Sequence, residues 1–315
     1  MGCRRCRKTR QGIAVAGRAL QKLRQIGRRP RARPPPSRPA VCWTQPSARH
    51  PAARPFVKRT ELEQKWPQTL WIARHGQSAG NVARDAAEAA GLRTIDIATR
   101  DVDVPLSELG VRQAEALGAW FGAMEPDLLP DVVLSSTYLR ARETARLVIE
   151  RGMPGRDVAR VSDERLREKE FGILDRLTPL GIRAKYPELA EQRAHVGKFY
   201  FRPPGGESWC DVILRLRSVI EMMTREYRRE RVLIIAHQVT VNCMRYLLER
   251  LDEAQILEID RIADVPNCGV TSYEFDRAAG SHGKLVRKLE NFVSPLLEAG
   301  APVTSEPDVP AAPKS

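Results

Sequence analysis

The first sixty residues contain neither Asp nor Glu, yet they hold 17 of the 52 Lys and Arg in the chain. The other residues carry 35 basic against 39 acidic side chains, a net of −4, so the overall charge of +13 belongs to the N-terminal segment alone. A basic surface for nucleic acid is therefore not expected on the globular part. No apolar run approaches the roughly 18–20 residues of a membrane span. There is no HxH, HExxH or Asp-rich motif to assemble a metal site, and there are no internal repeats. Cysteine is sparse, at six in 315 residues. Cys210, Cys243 and Cys268 lie in apolar or structured contexts and read as reduced core thiols. Cys3-Arg4-Arg5-Cys6 is a lone CxxC with no second ligand pair, which argues against a metal or redox role. These absences lead to the expectation of a cytoplasmic protein without metal or other cofactor.

What fills the first sixty residues is Arg, Pro, Ala and Ser, with Pro34-Pro35-Pro36 near the middle. Such a composition cannot bury enough apolar surface to fold alone. Residues 1–64 read as a basic, disordered extension, residues 65–295 as one domain, and residues 296–315 as a disordered tail rich in Pro, Ala and Ser. The extension has three readings: an Arg-rich, acid-poor transit peptide, a basic arm for nucleic acid or anionic lipid, or an upstream start assignment in a GC-rich gene. No Met occurs between Met1 and Met124.

The domain is organised around Arg74-His75-Gly76-Gln77-Ser78-Ala79-Gly80-Asn81. Thr69 to Ala73 is apolar and β-prone, which predicts a buried strand. The Ala-rich, charged stretch from Ser78 to about Ala90 predicts a helix. Arg74 and His75 thus stand where a strand ends and a helix begins, the edge at which open α/β sheets bind ligands. A helix N-terminus adds free N–H donors and partial positive charge.

The junction is repeated. Ser107 predicts an N-cap for a helix running to about Met124. Asp131 to Ser136 predicts a short strand, followed by a helix from about Tyr138 that carries Arg140 and Arg142. Residues two apart on a helix point about 200° apart, so one of these arginines faces the junction and the other faces solvent. A strand is expected over Val158–Val161, before Leu166-Arg167-Glu168-Lys169-Glu170-Phe171-Gly172. Residues 179–203 predict a helical excursion. Pro203 to Ser208 predicts a turn into a long helix. Arg231 to Ala236 is the clearest buried strand and ends in His237, which opens another helix. Strands near Val270–Phe275 and Lys284–Leu289 complete the domain. The expected architecture is a three-layer α/β/α sandwich with a largely parallel sheet.

Two histidines and at least two arginines at one sheet edge allow two chemistries. One is a metal site, since His is a common ligand. The fixed cation of Arg74 beside His75 and the missing ligand motifs weigh against it. The other is phosphoryl transfer, in which arginines bind the phosphoryl oxygens, one His attacks phosphorus and the other stabilises the transition state. A carboxylic acid must then protonate the leaving oxygen, and Glu168 and Glu170 are both placed for it.

The blocks RHGQSAGN, DVPLSELG, SSTYLRARETA, LREKEFG, PPGGES and IIAHQ, in that order over about residues 68–290, resemble the histidine phosphatase superfamily, also called the phosphoglycerate mutase-like family. The resemblance implies that His75 is phosphorylated on nitrogen. It implies that Arg74, Arg140 and His237 complete the phosphate pocket, that Asn81 hydrogen-bonds the transferring group, and that Glu168 is the proton donor. No metal is implied. His237 is followed by Gln238 where the family usually has Gly, which offers an extra substrate contact. The GEEQ-type segment and longer insert of the glycolytic mutases are absent between Thr178 and Val196, which favours a phosphatase of small phosphorylated metabolites. The alternatives are a cofactor-dependent phosphoglycerate mutase and, in another class, a non-catalytic binding protein using the basic arm. Lys198, Arg202 and Arg183 are candidates for a second anionic group, or else solvated surface cations.

Overall fold

The computed structural model describes residues 64–305. The extension read over 1–64 lies outside them except for Gln64, whose side chain bonds the Trp66 carbonyl. A six-stranded sheet forms the centre, built from β1 (Thr69–Arg74), β2 (Val132–Ser135), β3 (Ala159–Ser162), β4 (Arg231–Ala236), β5 (Val270–Asp276) and β6 (Lys284–Phe292). Their order is β3-β2-β4-β1-β5-β6. The first four are parallel, while β5 runs antiparallel to β1 and β6 antiparallel to β5.

The central strands are buried on both faces, which is why they read as unbroken apolar runs. Alternation splits their side chains between two cores. Leu70, Ile72, Leu134, Val232 and Ile234 pack with Trp209, Leu216 and Met223 of α6 (Trp209–Glu226) and Val241 and Met244 of α7 (Gln238–Glu249). Trp71, Ala73, Val133, Leu233 and Ile235 pack with Leu117 and Phe121 of α2 (Glu108–Gly122) and Val148 and Ile149 of α3 (Leu139–Gly152). The result is the expected three-layer sandwich.

Three features depart from the sequence reading. The excursion after residue 178 is two helices, α4 (Pro179–Lys185) and α5 (Pro187–Val196), because Pro187 starts a new helix. They enclose a small core of their own, Leu174, Leu177, Ile182 and Phe201. A further helix, α8 (Glu253–Ile262), fills the segment between Arg250 and β5 that carried no assignment; Asp252 and Gln255 cap it reciprocally. The tail read as disordered from residue 296 must also be corrected. α9 (Ser294–Glu298) packs on α2, Leu296 and Ala301 are buried, and the chain is anchored by hydrogen bonds as far as Thr304. Residues 306–315 lie outside the described part. Cys243 and Cys268 are buried free thiols, and Cys210 is a partly buried one.

The turn that enters α6 is fixed by a capping box. Ser208 Oγ accepts from Asp211 N at 3.2 Å, and Asp211 Oδ2 accepts from Ser208 N at 2.8 Å and from Arg202 Nε at 2.7 Å. Burial pushes the Asp211 carboxyl up, but the hydrogen bonds from Arg202 and Ser208 outweigh it and hold it at about 2. A depressed folded-state pKa contributes stability above the ordinary value of 3.8, lost as pH falls through the folded value. Asp211→Ala is therefore expected to destabilise by about 1 kcal/mol at neutral pH. In paired urea melts the difference should shrink as pH falls from 4 toward 2.

Candidate active site

The register of β1 with β4 creates the site. Arg74 is paired with Ala236, so His75 and His237 leave neighbouring parallel strands at the same level. His75 N donates to the Ala236 carbonyl at 2.9 Å, and the imidazoles lie 5.0 Å apart between centroids. β2 brings the third junction, because Ser136 N donates to the Ile235 carbonyl at 3.0 Å. That bond sets Ser136 Oγ 2.8 Å from His237 Nε2.

α3 begins just beyond, at Leu139, and its first turn delivers Arg140 inward and leaves Arg142 exposed, as the helical spacing requires. Arg140 Nε donates to His75 Nε2 at 3.2 Å. His75 Nδ1 lies 2.7 Å from the Gly76 carbonyl, which can only accept. Both contacts demand the same tautomer: the proton sits on Nδ1, and Nε2 presents its lone pair to Arg140.

The six residues singled out from the sequence, Arg74, His75, Asn81, Arg140, Glu168 and His237, are all at most 2% exposed. Direct contacts join His75 to Arg140 and set His237 beside it. Arg74 extends from the end of β1 to donate to the Val265 carbonyl at 2.7 Å. Asn81 sits in the first turn of α1 (Ala79–Ala89), where its Oδ1 accepts from Ser78 N and Ser78 Oγ, both at 2.9 Å. Glu168 is fully buried. Its Oε1 accepts from Lys169 N at 2.7 Å, and its Oε2 lies 3.4 Å from Val239 N in the first turn of α7. Glu170, two residues on, is turned outward, with its side chain 46% exposed and accepting from the Tyr138 hydroxyl at 3.0 Å. Gly172, at φ +57°, lets this segment lie against the turn at Pro204, since a Cβ there would come within 2.1 Å of the Pro204 carbonyl oxygen.

Gln238 Nε2 donates to Asp264 Oδ1 at 2.6 Å. Lys198 pairs with Asp260 and Arg202 with Asp211, while Arg183 is exposed.

Several contributors went unread in the sequence. Asp101 precedes Val102-Asp103 in a single 3-10 turn. Its backbone carbonyl accepts from Arg140 Nη1 at 2.7 Å, and its carboxylate accepts from Nη1 at 3.0 Å and from Nη2 at 3.4 Å. The Tyr138 ring stacks edge-on to His237 and carries the Arg140 guanidinium 4.9 Å from its centroid. Burial and then the charges of Asp101 and Glu170 push the Tyr138 phenol well above its ordinary value. Burial and the Asp101 charge also raise the Asp175 carboxyl. Lys169 is 9% exposed and lies over the Phe171 ring. Burial brings its ammonium down to about 8, against the pull of Glu168 and Glu207 and with the push of Arg193 and Lys198. None of these has a local signature. A lone Asp or Lys in a loop becomes distinctive only when the fold sets it beside another charge.

A buried imidazole pair, with a guanidinium against one Nε2, has the chemistry that suits a tetrahedral oxyanion. Among the described residues no three His, Cys, Asp or Glu side chains cluster as a metal-ligand set. Fold and site geometry together are those of an α/β protein whose candidate active site lies at a sheet edge. The chain belongs to the histidine phosphatase superfamily (branch 1), whose family model matches residues 70–286. A 2,3-bisphosphoglycerate-dependent phosphoglycerate mutase of Sinorhizobium fredii is 30% identical over 202 residues, which is 63% of this chain and 87% of that protein. A mycobacterial glucosyl-3-phosphoglycerate phosphatase solved with VO3 superposes with a TM-score of 0.55 at 25% identity, covering 72% of this chain and all of that one. The YhfR protein of Bacillus stearothermophilus superposes with a TM-score of 0.56 at 27% identity over 72% of this chain and 98% of its own.

The Asp101 carboxylate lies against the guanidinium of Arg140, a candidate phosphate-binding residue. Asp101→Asn is expected to tighten the binding of inorganic phosphate or vanadate about threefold to tenfold, the scale of one partly screened charge. Titration calorimetry of the two proteins at low ionic strength checks this. Weaker binding would mean that Asp101 serves chiefly to hold Arg140 in place.

Proposed function

We propose that the protein is a metal-independent phosphatase that hydrolyses small phosphomonoesters through a phosphohistidine at His75. The observation that carries this reading is the locked tautomer of His75, whose Nε2 lone pair faces the Arg140 guanidinium. Substrate phosphate enters between the two, taking the Arg140 hydrogen bond onto its oxygens. Nε2 attacks phosphorus, the N–P bond forms, and the bond to the leaving oxygen breaks. Arg74, Arg140, Asn81 and His237 hold the phosphoryl oxygens as charge spreads over them. Glu168 gives its proton to the leaving oxygen. In the second step the same carboxylate takes a proton from the water that attacks phosphohistidine.

Support for hydrolysis over transfer comes from the cations beyond the pocket. A mutase must grip a second anionic group, and Lys198 and Arg202 are already paired with Asp260 and Asp211. The mutase reading is favoured in turn by the curated relatives at about 30% identity, which carry that name. Phosphorus NMR on 3-phosphoglycerate, with and without the bisphosphate, separates the two: free phosphate for a phosphatase, the 2-isomer for a mutase.

His75→Ala is expected to lower turnover by about 10⁴-fold or more, as removal of a covalent nucleophile does. The wild type should form an acid-labile, base-stable phosphoryl adduct at that residue. Turnover should survive EDTA, since arginines supply the positive charge; loss restored by Zn²⁺ or Mg²⁺ would point to the metal chemistry instead.

The proton donor is tested by leaving group. Glu168→Gln should cost about 10²–10⁴-fold on an alkyl phosphate, whose alkoxide departs poorly unprotonated. It should cost little on p-nitrophenyl phosphate in a single-turnover measurement of the first step. Glu170→Gln should affect both substrates little. The reverse pattern would transfer the role to Glu170.

A further inference from the structure

We propose that the C-terminal segment Ala301–Ser305 is a strap that sets the nucleophile, with Thr304 as the positioning residue. The proposal builds on His75 as the nucleophile. The backbone on either side of Gly76 is held by two side-chain amides, each completely buried, Asn267 and Gln113. Asn267 Nδ2 donates to the His75 carbonyl at 3.0 Å. Gln113 Oε1 accepts from Gln77 N at 2.8 Å. The far ends of both amides meet on the tail. Thr304 Oγ1 lies 2.9 Å from Asn267 Oδ1 and 2.9 Å from Gln113 Nε2, which also donates to the Pro302 carbonyl at 2.9 Å. A backbone bond from Asn267 N to the Thr304 carbonyl, 2.8 Å, doubles the attachment.

The polarity of this relay is fully determined. The Gln77 N–H can only donate, so Gln113 turns its oxygen there and its NH₂ to the tail. The His75 carbonyl can only accept, so Asn267 turns its NH₂ there and its oxygen to the tail. One group must then accept from an amide and donate to another at a single point. A hydroxyl does both, and a methyl does neither. Thr304 is that hydroxyl.

Its reach extends to both arms of the pocket. The Asn267 loop takes the Arg74 guanidinium on the Val265 carbonyl, and Cys268 N donates to the Arg74 carbonyl at 3.1 Å. The Gly76 carbonyl, between the two clamped residues, accepts from His75 Nδ1 and fixes the tautomer. The loop also lies hard against α2, because a Cβ on Gly110 would stand 1.9 Å from the Gln77 carbonyl oxygen. Rotation of the Gly76 peptide is thus limited on one side by packing and on the other by the strap. Releasing the strap frees that carbonyl and lets the imidazole shift its proton and tilt. Small displacements of an attacking atom have large effects on rate.

The test is made on the full chain. Thr304→Val keeps the shape and removes both hydrogen-bonding functions. It is expected to lower kcat on a phosphomonoester about 10- to 100-fold with KM within about twofold, because Thr304 does not touch the ester. Thr304→Ser keeps the hydroxyl and should recover most of the loss. Independently of turnover, ¹⁵N NMR of the histidine-labelled protein should show His75 as the Nδ1–H tautomer in the wild type and as a mixture in Thr304→Val. Unchanged kcat and unchanged imidazole signals in Thr304→Val would overturn the proposal, as would a serine variant no better than valine. Should the valine variant fail to fold, Thr304→Cys, a weaker donor of similar size, must fall between wild type and the full loss; equality with wild type overturns the strap. If the wild type itself turns over no phosphomonoester, the functional reading fails while the imidazole signals still decide the strap.

Discussion

Everything in the site depends on the parallel pairing of β1 with β4. Two strands in register, Arg74 opposite Ala236, end together and release two histidines at the same height. A slip of one residue would point one of them into a core, since alternate strand positions face opposite sides of the sheet. The apolar packing on both faces therefore does more than stabilise the sheet. It fixes the 5.0 Å separation of the two imidazoles, which no direct bond between them could set. The neighbouring junctions inherit that reference: Ser136 is aligned by its bond to Ile235, and Arg140 by the helix that starts after it.

Burying two imidazoles, two guanidiniums and a carboxylate at one edge is costly unless each is hydrogen-bonded. The loops that meet this demand are the least regular parts of the fold. Arg74 donates to a carbonyl of the 263–268 loop, Arg140 donates to the 101–103 turn, and Glu168 accepts from the Lys169 amide and faces the Val239 amide at the start of α7. These hydrogen bonds from the protein orient the side chains, which is what preorganisation requires.

This division explains what could be read in advance. The strand ends were legible because an apolar run stopped by His or Ser is a local pattern; helical spacing requires only that one of Arg140 and Arg142 faces the junction, and the family resemblance points to Arg140. Alternation could not separate Glu168 from Glu170, because residues two apart on an extended segment share a face; the segment is irregular, with Glu168 and Lys169 both buried and Glu170 turned outward. α8 is short and half-exposed, so it gave little periodic signal, although Asp252 and Gln255 form its capping box. The tail was misread for a clear reason. Pro, Ala and Ser lower the expectation of a core, and nothing local reveals that Leu296 and Ala301 find apolar pockets or that a threonine meets two amides from distant segments. Asp101 was missed because charge complementarity places cations, not carboxylates, around a phosphate.

The Asp101 carboxylate nonetheless has a physical logic. Arg140 is 3% exposed on its side chain, and a guanidinium so buried needs an anionic or carbonyl partner at all times. The turn at residue 101 provides one, while the carboxylate itself remains 31% exposed and in reach of water. In the proposed reaction, a phosphoryl group that reached Arg140 would replace one oxyanion with another around that cation. After burial, the Asp101 charge is the next cause that raises both the Tyr138 phenol and the Asp175 carboxyl, so the turn acts on the groups around it as well as on Arg140.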